Sequence, residues 1–62
     1  MKYAVSVVDD ETRLVWESPE YKTYEEAFDT YKDECKRSGY EVIMYKWEND
    51  KWNIIHDRPQ HY

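Results

Sequence analysis

The chain has few of the residues that cross-link a small protein or carry it into a membrane. Its 62 residues include one cysteine, one glycine and two prolines. The single cysteine, Cys35, excludes a disulfide within one chain, and its place among apolar residues is typical of a small buried side chain in a reducing compartment. No apolar run is long enough to span a bilayer, and the first ten residues lack the pattern of a signal peptide. We therefore expect a cytoplasmic protein with no membrane partner.

Positive charge is also scarce. Fourteen acidic residues against nine basic ones give a formal net charge of −5. Nucleic-acid affinity depends mainly on Lys and Arg side chains that contact phosphates. The balance therefore argues against nucleic acid as a partner and favours a basic or apolar one.

Aromatic residues are abundant by contrast. Seven tyrosines, three tryptophans and one phenylalanine can supply large contact areas, and Tyr and Trp can bury a ring while keeping a polar tip in water. A chain this short buries only about 60% of its unfolded surface, so these rings matter to its stability. With 40% hydrophobic residues, the composition predicts a folded core rather than disorder for residues 2–57.

One stretch, from Thr23 to Gly39, has apolar residues at helical spacing. Its stripe consists of Tyr24, Ala27, Phe28, Tyr31 and Cys35. Thr23 and Glu26 fit a capping box, in which the threonine hydroxyl accepts from the Glu26 amide and the Glu26 carboxylate reaches back to the Thr23 amide. Gly39 can take the left-handed conformation that often ends a helix. The pattern predicts an amphipathic helix within residues 23–38.

Residues 2–17 have the pattern of a β-hairpin. Residues 2–8 alternate in the manner of a strand rich in β-branched side chains, a polar tip spans residues 9–12, and residues 13–17 are again extended. The predicted register pairs Val7 with Leu14 and Val5 with Trp16. This register places the large apolar residues of the hairpin on one face.

Residues 40–57 have the pattern of a second hairpin, with strands at 40–47 and 51–57. Its turn is Asn49-Asp50, since both residues tolerate positive φ. The predicted register pairs Trp47 with Trp52, Tyr45 with Ile54 and Ile43 with His56. By apolar bulk we expect Ile43, Tyr45, Trp47, Trp52 and Ile54 to face the helix. Val42, Met44 and Ile55 would then lie on the face that the helix leaves uncovered, which we call the open face; one residue of bulge would invert the two faces.

The predicted architecture is α+β, with the order ββαββ: two hairpins form an antiparallel sheet and one helix packs on one face. We expect a single domain over residues 1–57, followed by a frayed tail at 58–62. The residues expected to be best buried are Val5, Leu14, Phe28, Tyr31 and Ile54. Alternation does not fix the strand order.

No motif in the sequence predicts catalysis or a cofactor. The only conceivable metal set, His56, His61, Asp57 and Cys35, has no familiar ligand spacing. Cys35 has no assignable base, and there is no glycine-rich phosphate loop. We therefore expect a protein that is not an enzyme and that holds no metal or cofactor.

An interaction surface is the function that the residues favour. Trp and Tyr dominate the hot spots of protein interfaces. The residues expected on the open face are Val8, Val15, Tyr40, Val42, Met44 and Ile55. We expect a small acidic protein–protein interaction module of unknown partner, acting as a monomer or as a homodimer that buries this face or pairs an edge strand.

An alternative function uses the outward face of the helix, where Glu25, Asp29 and Asp33 lie at steps of four. Their carboxylates could stand in for phosphates and occupy the nucleic-acid site or active site of another protein. The size and acidity of the chain are similar to those of short phage-encoded inhibitors of host proteins, some of which imitate DNA charge. A mimic needs a contiguous surface of one sign. The acidic face is interrupted by three basic residues, Lys32, Lys36 and Arg37, which argues against this alternative.

Overall fold

The computed structural model describes residues 1–60 and has an α+β fold. Its elements are β1 (Lys2–Val8), β2 (Leu14–Glu17), α1 (Tyr24–Arg37), β3 (Glu41–Glu48) and β4 (Lys51–Arg58). The strands form one antiparallel sheet in the order β2-β1-β3-β4, and α1 contacts the central strands β1 and β3. The predicted ββαββ order with one helix on one face is confirmed.

The core lies between α1 and the two central strands. Its buried residues are Tyr3, Val5 and Val7 of β1, Ala27 of α1, and Val42 and Met44 of β3. Phe28, Tyr31 and Cys35 of the predicted helix stripe pack against this core while remaining partly exposed. Ala27 is the only fully buried residue of α1, so the helix approaches the sheet most closely there.

The second hairpin faces the opposite way from the prediction. Val42 and Met44 are fully buried beneath α1, whereas Ile54 is 59% exposed on the other face of the sheet. The pairs Trp47–Trp52 and Tyr45–Ile54 form as predicted, but a bulge in β4 then shifts the register, so that Met44 rather than Ile43 pairs with His56 and Ile55 is the extra residue.

Side-chain volume explains why Val42 and Met44, rather than the Tyr and Trp side chains of β3, face α1. The stripe of α1 is already bulky with aromatic rings, so compact Val and Met side chains opposite it allow the helix to approach the sheet, whereas a row of Tyr and Trp would not. Apolar bulk was therefore the wrong criterion for choosing the buried face of β3.

The first hairpin also contains a bulge. Val7 pairs with Trp16 and Val8 with Leu14, which leaves Val15 as the extra residue. The predicted pairs Val7–Leu14 and Val5–Trp16 are therefore wrong. Leu14, expected in the core, is 57% exposed because its pairing with Val8 places it on the face of the sheet that α1 does not cover.

The helix begins as predicted and ends differently. The Thr23 hydroxyl accepts from the Glu26 amide at 3.3 Å and donates to Glu26 Oε1 at 2.9 Å, so the carboxylate bonds the hydroxyl rather than the Thr23 amide. At the other end the capping residue is Ser38, whose extended backbone donates its N–H to the Glu34 carbonyl at 2.8 Å. Gly39 has no positive φ, so the predicted left-handed glycine cap is wrong.

Strand β4 extends to Arg58, a residue that the sequence places in the tail. Its guanidinium donates to the carbonyls of Ser38 at 2.6 Å and Tyr40 at 2.9 Å, which ties the end of β4 to the connection between α1 and β3. The remainder of the predicted tail includes residues 61 and 62, which lie outside the described part of the chain. Within residues 1–60, no helix is long and apolar enough to cross a membrane.

Candidate binding face

The open face is the face of the sheet that α1 does not cover. Because side chains alternate along a strand, the residues that pair with one another opposite the helix can be read from the register. They are Lys2, Ala4, Ser6 and Val8 of β1; Leu14 and Glu17 of β2; Glu41, Ile43, Tyr45 and Trp47 of β3; and Trp52, Ile54 and Asp57 of β4. Aromatic residues lie at one end of this face and carboxylates at the other.

Three rings form the aromatic end. The rings of Trp47 and Trp52 meet edge to face with centroids 5.3 Å apart, and Tyr45 meets Trp52 in the same manner at 6.4 Å. The Lys2 ammonium lies 4.9 Å from the ring centroid of Trp47, within cation–π range. Ile54 extends the apolar surface beside them. These side chains are partly exposed, so the edges and faces of the rings remain available to a partner.

Three carboxylates form the acidic end. Glu17 of β2 pairs with Ser6, and Asp57 of β4 pairs with Ile43. Glu41 lies two residues before Ile43 on β3, on the same face. Within the described residues, no Lys or Arg nitrogen lies within 4.0 Å of any of these three carboxylates.

The acids of this end also act on one another. A hydrogen bond between Glu41 and Asp57 raises the pKa of Glu41 above its ordinary value, and partial burial and the Asp57 charge raise it further. Burial raises the pKa of Tyr45, and the charges of Glu41 and Asp57 add to the effect. Glu41 and Asp57 thus place two interacting carboxyl groups at this end, with no Lys or Arg nitrogen within 4.0 Å of either among residues 1–60.

A cleft of about 450 Å³ lies on the open face between β2 and the aromatic end. Ala4 and Ser6 are its small side chains, Tyr45 and Trp52 line one side, and residues 17–20 line the other. The last segment is fixed by Ser18, whose amide donates to the Val5 carbonyl at 2.8 Å while its hydroxyl accepts from the Val5 amide at 2.9 Å. The cleft forms because Ala4 and Ser6 of β1 have small side chains, whereas the residues on both sides of them are larger.

The residues predicted for the open face are divided by the structure. Val42 and Met44 are fully buried under α1, and Ile55 packs against the core, so their predicted place on the open face is wrong. Val8 does lie on that face, at the acidic end. Val15 and Tyr40 are exposed, the first at the bulge of β2 and the second just before β3.

The acidic row of the helix lies on the opposite side of the molecule. Asp29 is 3.7 Å from the Lys32 ammonium, and Asp33 is 2.7 Å from the Arg37 guanidinium. Glu25 belongs to the same exposed face in the first turn of α1. Two of the three predicted phosphate substitutes therefore already have a cation beside them.

The one conceivable metal set of the sequence is not brought together within residues 1–60. No group of three His, Cys, Asp or Glu side chains in this range is close enough to hold a metal ion, and His61 lies outside it. Cys35 packs against the core from α1. His56 lies among the rings of α1, where its Nε2 is 2.7 Å from the Tyr24 hydroxyl.

Sequence reasoning missed the acidic end and the cleft. The alternation of Glu41, Ile43, Tyr45 and Trp47 places these four on one face whichever way the hairpin is turned, so a signal for their association was present. The small pair Ala4 and Ser6 on an otherwise bulky strand was the signal for a cleft.

Comparisons of the chain with protein-family models, with curated proteins and with solved structures find no match.

Proposed function

We propose that this protein is a small acidic interaction module that binds a basic protein segment on its open face and performs no catalysis. The observation that carries the proposal is the presence on one face of edge-to-face aromatic rings and three carboxylates that have no Lys or Arg nitrogen within 4.0 Å among residues 1–60. Aromatic anchors supply contact area, and unneutralised charge selects a partner of opposite sign.

Charge complementarity favours a basic partner over a second copy of the chain. Each chain carries a net charge of −5, so two copies that stacked their open faces would bring together two proteins of the same net sign. Juxtaposed like charges oppose association. A basic segment would instead place cations against these carboxylates and apolar side chains against Ile54 and the rings.

The proposal is tested with a labelled octapeptide in which arginine alternates with glycine. In the open-face triple variant, Glu17→Gln, Glu41→Gln and Asp57→Asn remove the three negative charges of the acidic end. The matched helix-face triple variant carries Glu25→Gln, Asp29→Asn and Asp33→Asn, so that both proteins have the same net charge. Fluorescence anisotropy at low salt should show that the open-face triple binds about tenfold more weakly than the wild type, while the helix-face triple binds like the wild type.

The same pair of variants separates the rival functions. Binding lost only in the helix-face triple would support the phage-type mimic and overturn the proposal. Equal losses in both triples would show that net charge alone attracts the peptide, which also contradicts a defined site. If a second copy occupies the open face, sedimentation at micromolar concentration will show a dimer that the aromatic substitution Trp52→Ala abolishes.

A further inference from the structure

We propose that the cleft on the open face binds one arginine side chain of the basic partner. This inference rests on the proposed function, because it names the group of the partner that enters the surface. The cleft is about 450 Å³, within the range of roughly 300–1,000 Å³ found for small-ligand sites. It therefore has room for a single extended side chain with its head group.

The two sides of the cleft offer different chemistry to the same ligand. Tyr45 and Trp52 present aromatic rings, and the segment that contains Glu17 and Glu20 presents carboxylates. A guanidinium is flat and can stack on a ring while its edge donates to a carboxylate. Ala4 and Ser6 leave the space between the two sides open.

Glu17 is the carboxylate available to such a ligand. Glu20 is 3.6 Å from the Lys2 ammonium, whereas Glu17 has no Lys or Arg nitrogen within 4.0 Å in the described range. Its place is fixed by the pairing of Glu17 with Ser6 and by the two hydrogen bonds between Ser18 and Val5. The backbone of Glu17 is therefore fixed beside the cleft, and its side chain lines the cleft.

Lys2, on the same face beside the cleft, already makes both kinds of contact, one with aromatic rings and one with a carboxylate. Its ammonium lies 4.9 Å from the Trp47 ring centroid and 6.0 Å from that of Trp52, and it also pairs with Glu20. The same aromatic cluster and the same acidic segment thus already hold one cation between them. The cleft beside Lys2 has the same two components, because its lining includes the Trp52 ring and Glu17.

Arginine suits this position better than lysine. The guanidinium has a planar fork of donors that matches a carboxylate, stacks on aromatic faces and is weakly hydrated, whereas the ammonium is compact and strongly hydrated. A cleft with rings on one side and a carboxylate on the other favours the planar group. We expect the discrimination to be about fivefold.

The test is a titration of the whole chain with N-acetyl-argininamide, followed by amide and indole chemical shifts. The largest shifts are expected at the Ala4 and Ser6 amides and at the Trp52 indole N–H, with little change in α1. N-acetyl-lysinamide should bind the same position about fivefold more weakly. Shifts spread over the whole surface, or equal affinities for the two amides, would overturn the inference.

Variants complete the test. Glu17→Gln should weaken N-acetyl-argininamide binding about three- to fivefold, while the same chemical change on the opposite side of the molecule, Glu25→Gln, should leave it unchanged. Equal effects of the two substitutions would contradict a site at Glu17. If the arginine octapeptide binds the open face but N-acetyl-argininamide does not select the cleft, only this inference fails; if the octapeptide does not bind that face, the proposed function fails as well.

Discussion

At the residue scale, burial in this protein follows complementary volume rather than hydrophobicity alone. Met44 and Ile54 are both large aliphatic residues of the second hairpin, yet Met44 is fully buried and Ile54 is 59% exposed. Met44 lies opposite Val5 beneath α1, and Ile54 lies beside Tyr45 on the open face. The same sequence read by apolar bulk alone gives the reverse assignment.

The assignment of faces is tested by truncating both residues. Met44→Ala should lower the free energy of unfolding by about 2–5 kcal/mol, because it removes buried methylene groups and leaves a cavity. Ile54→Ala should lower it by under about 1 kcal/mol, because most of the side chain is in water. Urea denaturation measures both. A larger loss for Ile54→Ala than for Met44→Ala would mean that the hairpin faces the other way.

A second prediction at this scale concerns the two carboxyl groups at the acidic end. Glu41 has a raised pKa because of its hydrogen bond with Asp57, partial burial and repulsion from the Asp57 charge. An acid whose folded pKa is raised binds its proton more tightly in the folded state. This group therefore stabilises the fold relative to neutral pH as the pH falls through its folded pKa, and the effect disappears as the pH rises above that pKa.

Carboxyl-carbon titration by NMR measures the pKa of Glu41 directly. In the wild type it should exceed the ordinary value of 4.5. Asp57→Asn removes the neighbouring charge, so the pKa of Glu41 should fall toward that value, whereas Asp33→Asn on the helix should leave it unchanged. An unaltered pKa in Asp57→Asn would show that the two acids do not interact.

At the element scale, the sequence predicts what each segment forms but not how the segments register. The helix stripe, the capping threonine and the Asn49-Asp50 turn depend on neighbouring residues, and all three are present, with φ of 57° and 60° in the turn. The bulge at Val15, which no local pattern marks, moves Leu14 to the open face. The choice of the face of β3 that α1 covers depends on packing between segments distant in the sequence. For these two reasons the fold could be predicted while the open face could not.

The use of positive φ is the clearest surprise among the turns. The only glycine, Gly39, does not use it, whereas the β-branched Thr12 has φ of 60° in the loop between β1 and β2. A left-handed conformation costs a residue with a Cβ roughly 1–2 kcal/mol. The chain thus carries local strain in its first loop and none at the end of its helix.

Two opposite substitutions test this distribution of strain. Gly39→Ala should leave the stability unchanged or raise it by about 0.4–1 kcal/mol, because alanine restricts the unfolded chain without a clash in the folded one. Thr12→Gly should raise it by about 0.5 kcal/mol through release of strain, reduced by the entropy of glycine. Thermal and urea unfolding give both values. If Gly39→Ala lowers the free energy of unfolding by about 1 kcal/mol or more, Gly39 has a left-handed conformation after all.

At the scale of the whole molecule, the two broad surfaces differ in how their charges are arranged. On the outward face of α1, Asp29 and Asp33 each lie beside a cation. On the open face, Glu17, Glu41 and Asp57 have no such neighbour among residues 1–60, and a cluster of rings lies at the other end of the same face. Paired surface charges contribute little to recognition, whereas unpaired ones beside aromatic anchors favour a partner of opposite charge. The open face is therefore the surface that we propose for binding.

The footprint of a basic ligand on the intact protein tests that assignment most directly. In an amide chemical-shift map recorded with the alternating arginine–glycine octapeptide, the account predicts shifts along β1, β3 and β4 at Ser6, Ile43, Tyr45 and Trp52, which weaken as salt is added. Amides of α1 should be unaffected. Shifts confined to Glu25, Asp29 and Asp33, or no shifts at low salt, would contradict the account.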